Sequence, residues 1–185
     1  MIVDVADIVQ TAYVVNDLDA AMKQWLQTVR CGPFFVLREI SFEGFRYRGA
    51  PGSLVISVAM AQAGSIQLEL IQQHSDGPSA YRDSFPKGSS GLHHIGLFTN
   101  DFDQEMARLQ ALNCPLAHEA HFGDERGNVR FGYVDTRAVL GCMLEYVEDR
   151  PLIREICATV ANAARDWDGT NPMRPFAPVP RDGRQ

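Results

Sequence analysis

Residues 10–22, Gln-Thr-Ala-Tyr-Val-Val-Asn-Asp-Leu-Asp-Ala-Ala-Met, lie over residues 94–106, His-Ile-Gly-Leu-Phe-Thr-Asn-Asp-Phe-Asp-Gln-Glu-Met, at a constant offset of 84. Asn16/Asn100, Asp17/Asp101, Asp19/Asp103 and Met22/Met106 coincide, and Gln10 falls on His94. A second pair of segments repeats at offset 76, Ser65-Ile66-Gln67-Leu68-Glu69-Leu70-Ile71 over Gly141-Cys142-Met143-Leu144-Glu145-Tyr146-Val147. A duplication constrains a fold more than any single element does, because each half must form the same unit. Each unit here opens on a strand carrying Gln10 or His94 and closes on one carrying Glu69 or Glu145.

The local pattern fills in the unit. Residues 7–15 alternate as a strand, and Asn16 or Asp17 then caps a helix. The residues Leu18, Ala21, Met22, Trp25, Leu26 and Val29 of that helix form one apolar stripe. Gly32-Pro33 ends the helix. Three strands follow, Phe34–Ser41, Leu54–Gln62 and Ser65–Gln73, with Glu43–Gly52 between them read as a loop. The second half repeats the order: a strand over 92–99, a helix over 101–112, and strands near 115–121, 128–135 and 139–147. The expectation is an α+β chain of two tandem βαβββ modules, 7–73 and 92–148, joined by a polar connector over 74–91. Residues 149–185 have no counterpart in the first half. Pro151 suits a first helical turn, and a stripe from Leu152 to Trp167 makes a helix that clamps onto the body or a second subunit. Pro172, Pro175, Pro178 and Pro180 make the remainder an extended tail.

An apolar content of 45% and a charged content of 22% are those of an ordinary globular protein. A net charge of −6 argues against nucleic acid or an anionic membrane as partner, since both need a basic footprint. Residues 49–68 carry no charge, but Pro51, Gly52, Gln62, Gly64, Ser65 and Gln67 make that stretch a hairpin rather than a membrane span. The N-terminal residues lack a basic region and carry Asp4 and Asp7, so a cytoplasmic location is expected. The four cysteines have no CxxC spacing and read as free thiols.

Strand side chains alternate faces. If Ile66, Leu68 and Leu70 meet a helix, Gln67 and Glu69 point the other way. The same reasoning sends His94 and Gly96, and Met143 and Glu145, to that opposite face, and Gln10 joins them by its place in the repeat. A charge within an apolar strand is costly unless it is paired or ligated. Two carboxylates, an imidazole and an amide on one concavity suit a divalent Zn, Ni, Co, Mn or Fe ion. His93 falls on the helix side as a core or hydrogen-bonded histidine. His74, His118 and His121 read as solvated surface. Arg126 and Arg130 are candidates for a substrate anion or a surface charge pair, and Tyr133 and Phe34 for pocket lining or core.

The strand with Gln10, the Asn-Asp-Leu-Asp helix start at 16–19, and the segments Leu68-Glu69-Leu70-Ile71, Leu92-His93-His94-Ile95-Gly96 and Leu144-Glu145-Tyr146-Val147 together resemble the vicinal oxygen chelate superfamily. That superfamily includes glyoxalase I, methylmalonyl-CoA epimerase, extradiol dioxygenases and bleomycin-resistance proteins, and the resemblance covers residues 7–148. It implies a mixed sheet curled around a metal cup, with Gln10, Glu69, His94 and Glu145 as ligands in the pattern of the zinc-type glyoxalase I. It also implies proton abstraction next to the carbonyl of a small molecule, with Glu145 as base, Glu69 as its partner and a homodimeric assembly. Two positions depart from the glyoxalase pattern: Val14 stands where an arginine serves glutathione, and Gln73 where an asparagine does. A metal-free binding module of the bleomycin-resistance kind is the alternative. An extradiol dioxygenase is a poorer one, because Gln10 replaces a histidine that it needs.

Overall fold

Asp17 and Asp101, which coincide in the repeat, do the same physical work. Both have extended backbone, and each side chain accepts the N–H three residues on, from Ala20 and Gln104. Each thereby stops a strand and starts a helix. The structure, a computed structural model, describes residues 7–124 and 127–176. In chain order the first half holds β1 (Ile8–Val14), α1 (Leu18–Thr28), β2 (Phe34–Ser41), β3 (Glu43–Tyr47), β4 (Ala50–Pro51), β5 (Val55–Ala63) and β6 (Ile66–Gln73). After α2 (Ala80–Ser84) come β7 (Gly91–Thr99), α3 (Phe102–Ala111), β8 (Leu116–Asp124), β9 (Gly127–Val134), α4 (Arg137–Leu140) and β10 (Met143–Glu148). The chain then adds α5 (Pro151–Ala164) and β11 (Met173–Pro175). Among the described residues no helix is long and apolar enough to cross a membrane.

The strands form one open mixed sheet in the order β11-β2-β5-β6-β1-β7-β10-β9-β8-β3-β4. Its middle carries the duplication: β1 pairs parallel with β6 and antiparallel with β7, which pairs parallel with β10. One sheet face is covered by α1, over Leu68 and Leu70, and by α3, over Leu97 and Tyr146. The opposite face is covered by α2, through Tyr81, and by α5, through Leu152 and Val160.

Several expectations need correction. The stretch 43–52 is not a loop: β3 and β4 form a hairpin, and β3 pairs with β8 of the second half (Glu43↔His121, Tyr47↔His118). Its pairing partner is far away in sequence, so no local alternation announces it. The connector carries α2, capped by Ser79, whose hydroxyl also donates to Gln73 Oε1. The strand expected over 139–147 starts only at Met143. Val139 and Leu140, apolar but well exposed, belong to α4, which Gly141 closes with φ +79°. Within the tail, β11 pairs parallel with β2, and residues 177–185 lie outside the described residues. Helix α5 does clamp the body, packing against β5, β6 and β9.

Candidate functional site

The register explains why four distant residues meet. On one rung Gln67, Gln10, Gly96 and Glu145 lie side by side across β6, β1, β7 and β10. Two residues along, on the same face, the next rung reads Glu69, Ala12, His94 and Met143. Small residues at the centre, Ala12 and Gly96, leave a hollow between the polar side chains. A Cβ on Gly96 would sit 2.9 Å from Gln10 Cβ, 3.0 Å from Gln10 Oε1 and 3.5 Å from Glu145 Oε2.

His94 is fully buried, and its Nε2 lies 3.3 Å from Glu145 Oε2, 3.5 Å from Glu69 Oε2 and 3.4 Å from Gln10 Oε1. Gln10 turns its oxygen this way because its Nε2 donates to Gln67 Oε1 at 2.7 Å. The hydrogen-bond network assigns the tautomers. The Ala80 carbonyl can only accept, so His93 Nε2, 3.0 Å away, carries a proton. Burial, and then the neighbouring His94, push the His93 pKa well below its ordinary value, so the ring is neutral and its Nδ1 is a lone pair. His94 Nδ1–H donates to that lone pair at 2.9 Å, which turns Nε2 towards the three oxygens. Three acceptor oxygens and this nitrogen therefore converge, and Glu69 Oε2 is buried without a hydrogen-bond partner. Burial, and then the charge of Glu145, raise the Glu69 carboxyl well above the usual carboxylate range. Such a set is stable only around positive charge, whether protons or a metal cation.

Among the described residues no three His, Cys, Asp or Glu side chains are drawn together as a finished metal site. The donor chemistry fits one nonetheless: two carboxylates, an imidazole nitrogen and an amide oxygen, one of them orphaned, around a gap that a Cβ would fill.

His93 is the buried, hydrogen-bonded histidine expected, but it faces α2 and the cup rather than α1 or α3. The partner of β1 jumps from His94 opposite Ala12 to Leu92 opposite Tyr13, so His93 is the extra residue of a β-bulge. That lets it sit behind His94 instead of alternating away from it. His118, expected at the surface, is buried: Ala80 N–H donates to its Nδ1, and its ring meets Phe45, Tyr81 and Tyr133. One residue of α2, Ala80, thus holds two histidines through its N–H and its carbonyl. Burial lowers the His118 pKa from 6.5 to about 3. Below 6.5 the unfolded chain binds a proton that the native ring refuses, so stability falls as pH drops from 6.5 towards 3. From this group alone the loss is about 2 kcal/mol at pH 5. Urea unfolding at pH 7.5 and pH 5 is expected to show it, and His118→Gln is expected to flatten the difference by that amount.

A cavity of about 170 Å³, partly open to solvent, lies over the two rungs beneath α5. Its apolar wall includes Phe122, Phe131, Ile153 and Ile156, and Gln10, Gln67, Glu69 and Glu145 form its polar end. The family model of the glyoxalase/bleomycin resistance protein/dioxygenase superfamily matches residues 9–133, a span that holds Gln10, Glu69 and His94 and ends before Glu145. The chain belongs to this superfamily. Methylmalonyl-CoA epimerase from Mycobacterium tuberculosis shares the fold with a TM-score of 0.50 at 15% identity, over 80% of this chain and 91% of that one. A hypothetical protein from Bacillus halodurans C-125 reaches 0.53 at 14% identity, over 80% and 96%. No curated protein matches the sequence significantly.

In this superfamily member the other candidates fall outside the cup or change role. Arg130 is held by Glu119 and Asp103 over the ring of Phe102, a charge pair on the α3 side, and Arg126 lies outside the described residues. Phe34 packs under α1, whereas Tyr133 is both core and cavity wall. Gln73 is engaged with Ser75, Gly77 and Ser79 and so anchors the connector. Tyr81 is a cavity residue that sequence reasoning passed over, and Gln67, placed on the site face, was not counted among the candidates. Gln67 had a signal, since it shares a strand face with Glu69. Tyr81 had only the Ser79 cap beside it.

Proposed function

We propose that this chain is a metal-dependent isomerase, epimerase or lyase that removes a proton next to a carbonyl. The observation that carries the reading is the convergence of Gln10 Oε1, Glu69 Oε2 and Glu145 Oε2 on His94 Nε2. These four residues would hold a divalent metal, which when bound supplies a Lewis acid for the substrate's carbonyl oxygen. Glu145 is the base, accepting the carbon-bound proton on a carboxylate oxygen at the polar end of the cavity. Glu69, across from it, is the partner group that returns a proton to the substrate. Return to the opposite face of the same carbon gives an epimer, and return to a neighbouring carbon gives an isomer. His93 and the Ala80 carbonyl keep the His94 ring in the orientation that frees Nε2. Helix α5 covers part of the cup and so limits the access of water to it.

Elemental analysis of protein purified without chelator tests the reading. About one divalent ion per chain is expected in the wild type, and near none in a Glu145→Ala, His94→Ala double variant that keeps its circular dichroism. No uptake of Zn, Ni, Co or Mn by the wild type overturns the proposal in favour of metal-free binding.

A further inference from the structure

The polar end of the cavity is crowded, and the rest of its wall is bare of charge. Glu69 and Glu145 are the only ionisable acids or bases of the Asp, Glu, Lys, Arg and His classes among its described lining residues. The two tyrosines of the wall, Tyr81 and Tyr133, bond to each other at 3.1 Å, so their hydroxyls already have a partner. The remaining surface is aliphatic and aromatic, including Ile56, Val58, Phe122 and Phe131 from the sheet and Ile153 and Ile156 from α5. Described arginines next to wall residues are engaged elsewhere: Arg38 with Asp19, Arg130 with Glu119 and Asp103, Arg154 with Asp149, and Arg82 with the Gln73 carbonyl. Apart from a cation held between the two carboxylates, an anionic ligand finds no free positive charge in the described wall: Arg154, stacked on the wall residue Phe98, is already paired with Asp149. A volume of about 170 Å³ is close to that of an engineered apolar cavity of about 150 Å³ that binds benzene.

From this lining we infer that the cup takes an uncharged, ring-sized apolar carbonyl compound, an aromatic or alicyclic ketone, with its oxygen at the Gln10–Glu69–Glu145 end and its ring against Phe131 and α5. The inference rests on the proposed function for the direction of the carbonyl, and the wall alone carries the choice of a neutral ring. Helix α5, which has no counterpart in the first half, supplies three of the wall residues, Ile153, Ile156 and Cys157, so the added segment sets the ligand class. Glutathione conjugates carry carboxylates and CoA thioesters carry phosphates, and a cavity of about 170 Å³ leaves those charged parts outside its walls with no partner there.

Calorimetric titration of the full chain, as purified and again after chelation, tests this with 2-tetralone, a neutral fused-ring ketone, and with acetoacetyl-CoA. The ketone is expected to saturate the site in both preparations and to bind at least about tenfold tighter than the thioester. Ile156→Arg, which places a charge in the wall, is expected to lower ketone affinity at least about tenfold. If that variant loses its thermal transition, Ile153→Ala is read instead, and it is expected to shift preference from 2-tetralone towards a three-ring ketone. Tighter binding of the thioester, or no ketone binding at its solubility limit, overturns the inference even if the chain takes up metal. Ketone binding by a chain that takes up no metal upholds it while the proposed reaction fails.

Discussion

Glu145→Gln is expected to fold as the parent chain does and to slow proton exchange next to a bound carbonyl by about 10²–10⁴-fold, the usual worth of a positioned general base. The side chain keeps its shape, so the close approach of Glu145 Oε2 to the Gly96 position, 3.5 Å from a would-be Cβ, is preserved. What changes is chemistry: an amide cannot accept the proton. Its NH₂ group adds a donor beside the other acceptor oxygens that face His94 Nε2, which Glu145 Oε2 approaches to 3.3 Å. Stability is therefore expected to hold or rise, which separates lost catalysis from lost folding. Deuterium incorporation into the positions next to the carbonyl of 2-tetralone, followed by NMR in D₂O, gives the rate. An exchange rate equal to that of the wild type would remove Glu145 from the role of base.

The features legible in the sequence are those encoded over short distances. Asp17 and Asp101 announce their helices because a cap and its helix are adjacent. Glu69, His94 and Glu145 declare their face because strand alternation has a period of two residues. The duplication then places Gln10 with them, and the register brings all four onto two neighbouring rungs. Features that depend on a distant partner were hidden. The β3 strand is a strand because β8 pairs with it across the two halves, and β11 exists because β2 offers an edge. His118 looks like a surface residue until Tyr81 and the Ala80 N–H cover it. His93 illustrates a different failure: a single bulged residue breaks the alternation on which the face assignment rested. Val139 and Leu140 failed the opposite way, since apolar side chains in an exposed turn imitate a buried strand.

Tyr81→Ala is expected to cost about 3–5 kcal/mol, the range for removing a large buried aromatic ring. Tyr81 is 1% exposed and lies in a segment whose sequence reads as a polar connector. Its ring touches His93, His118 and Tyr133, and its hydroxyl meets that of Tyr133. Tyr81→Phe keeps the ring and loses only the hydroxyl pair, so it is expected to cost about 0.5–1.5 kcal/mol. The difference between the two variants in urea unfolding isolates the packing of α2 into the cup. The alanine variant should also reach the site through the backbone. Without its anchor, α2 no longer fixes the Ala80 carbonyl on His93 Nε2, and the chain of donors that bares His94 Nε2 loses its first link. Metal uptake by the folded fraction of Tyr81→Ala is accordingly expected to fall, while Tyr81→Phe retains it. A Tyr81→Ala chain within about 1 kcal/mol of the parent would mean that the connector merely lies over the cup, and that His94 owes its orientation to the strands alone.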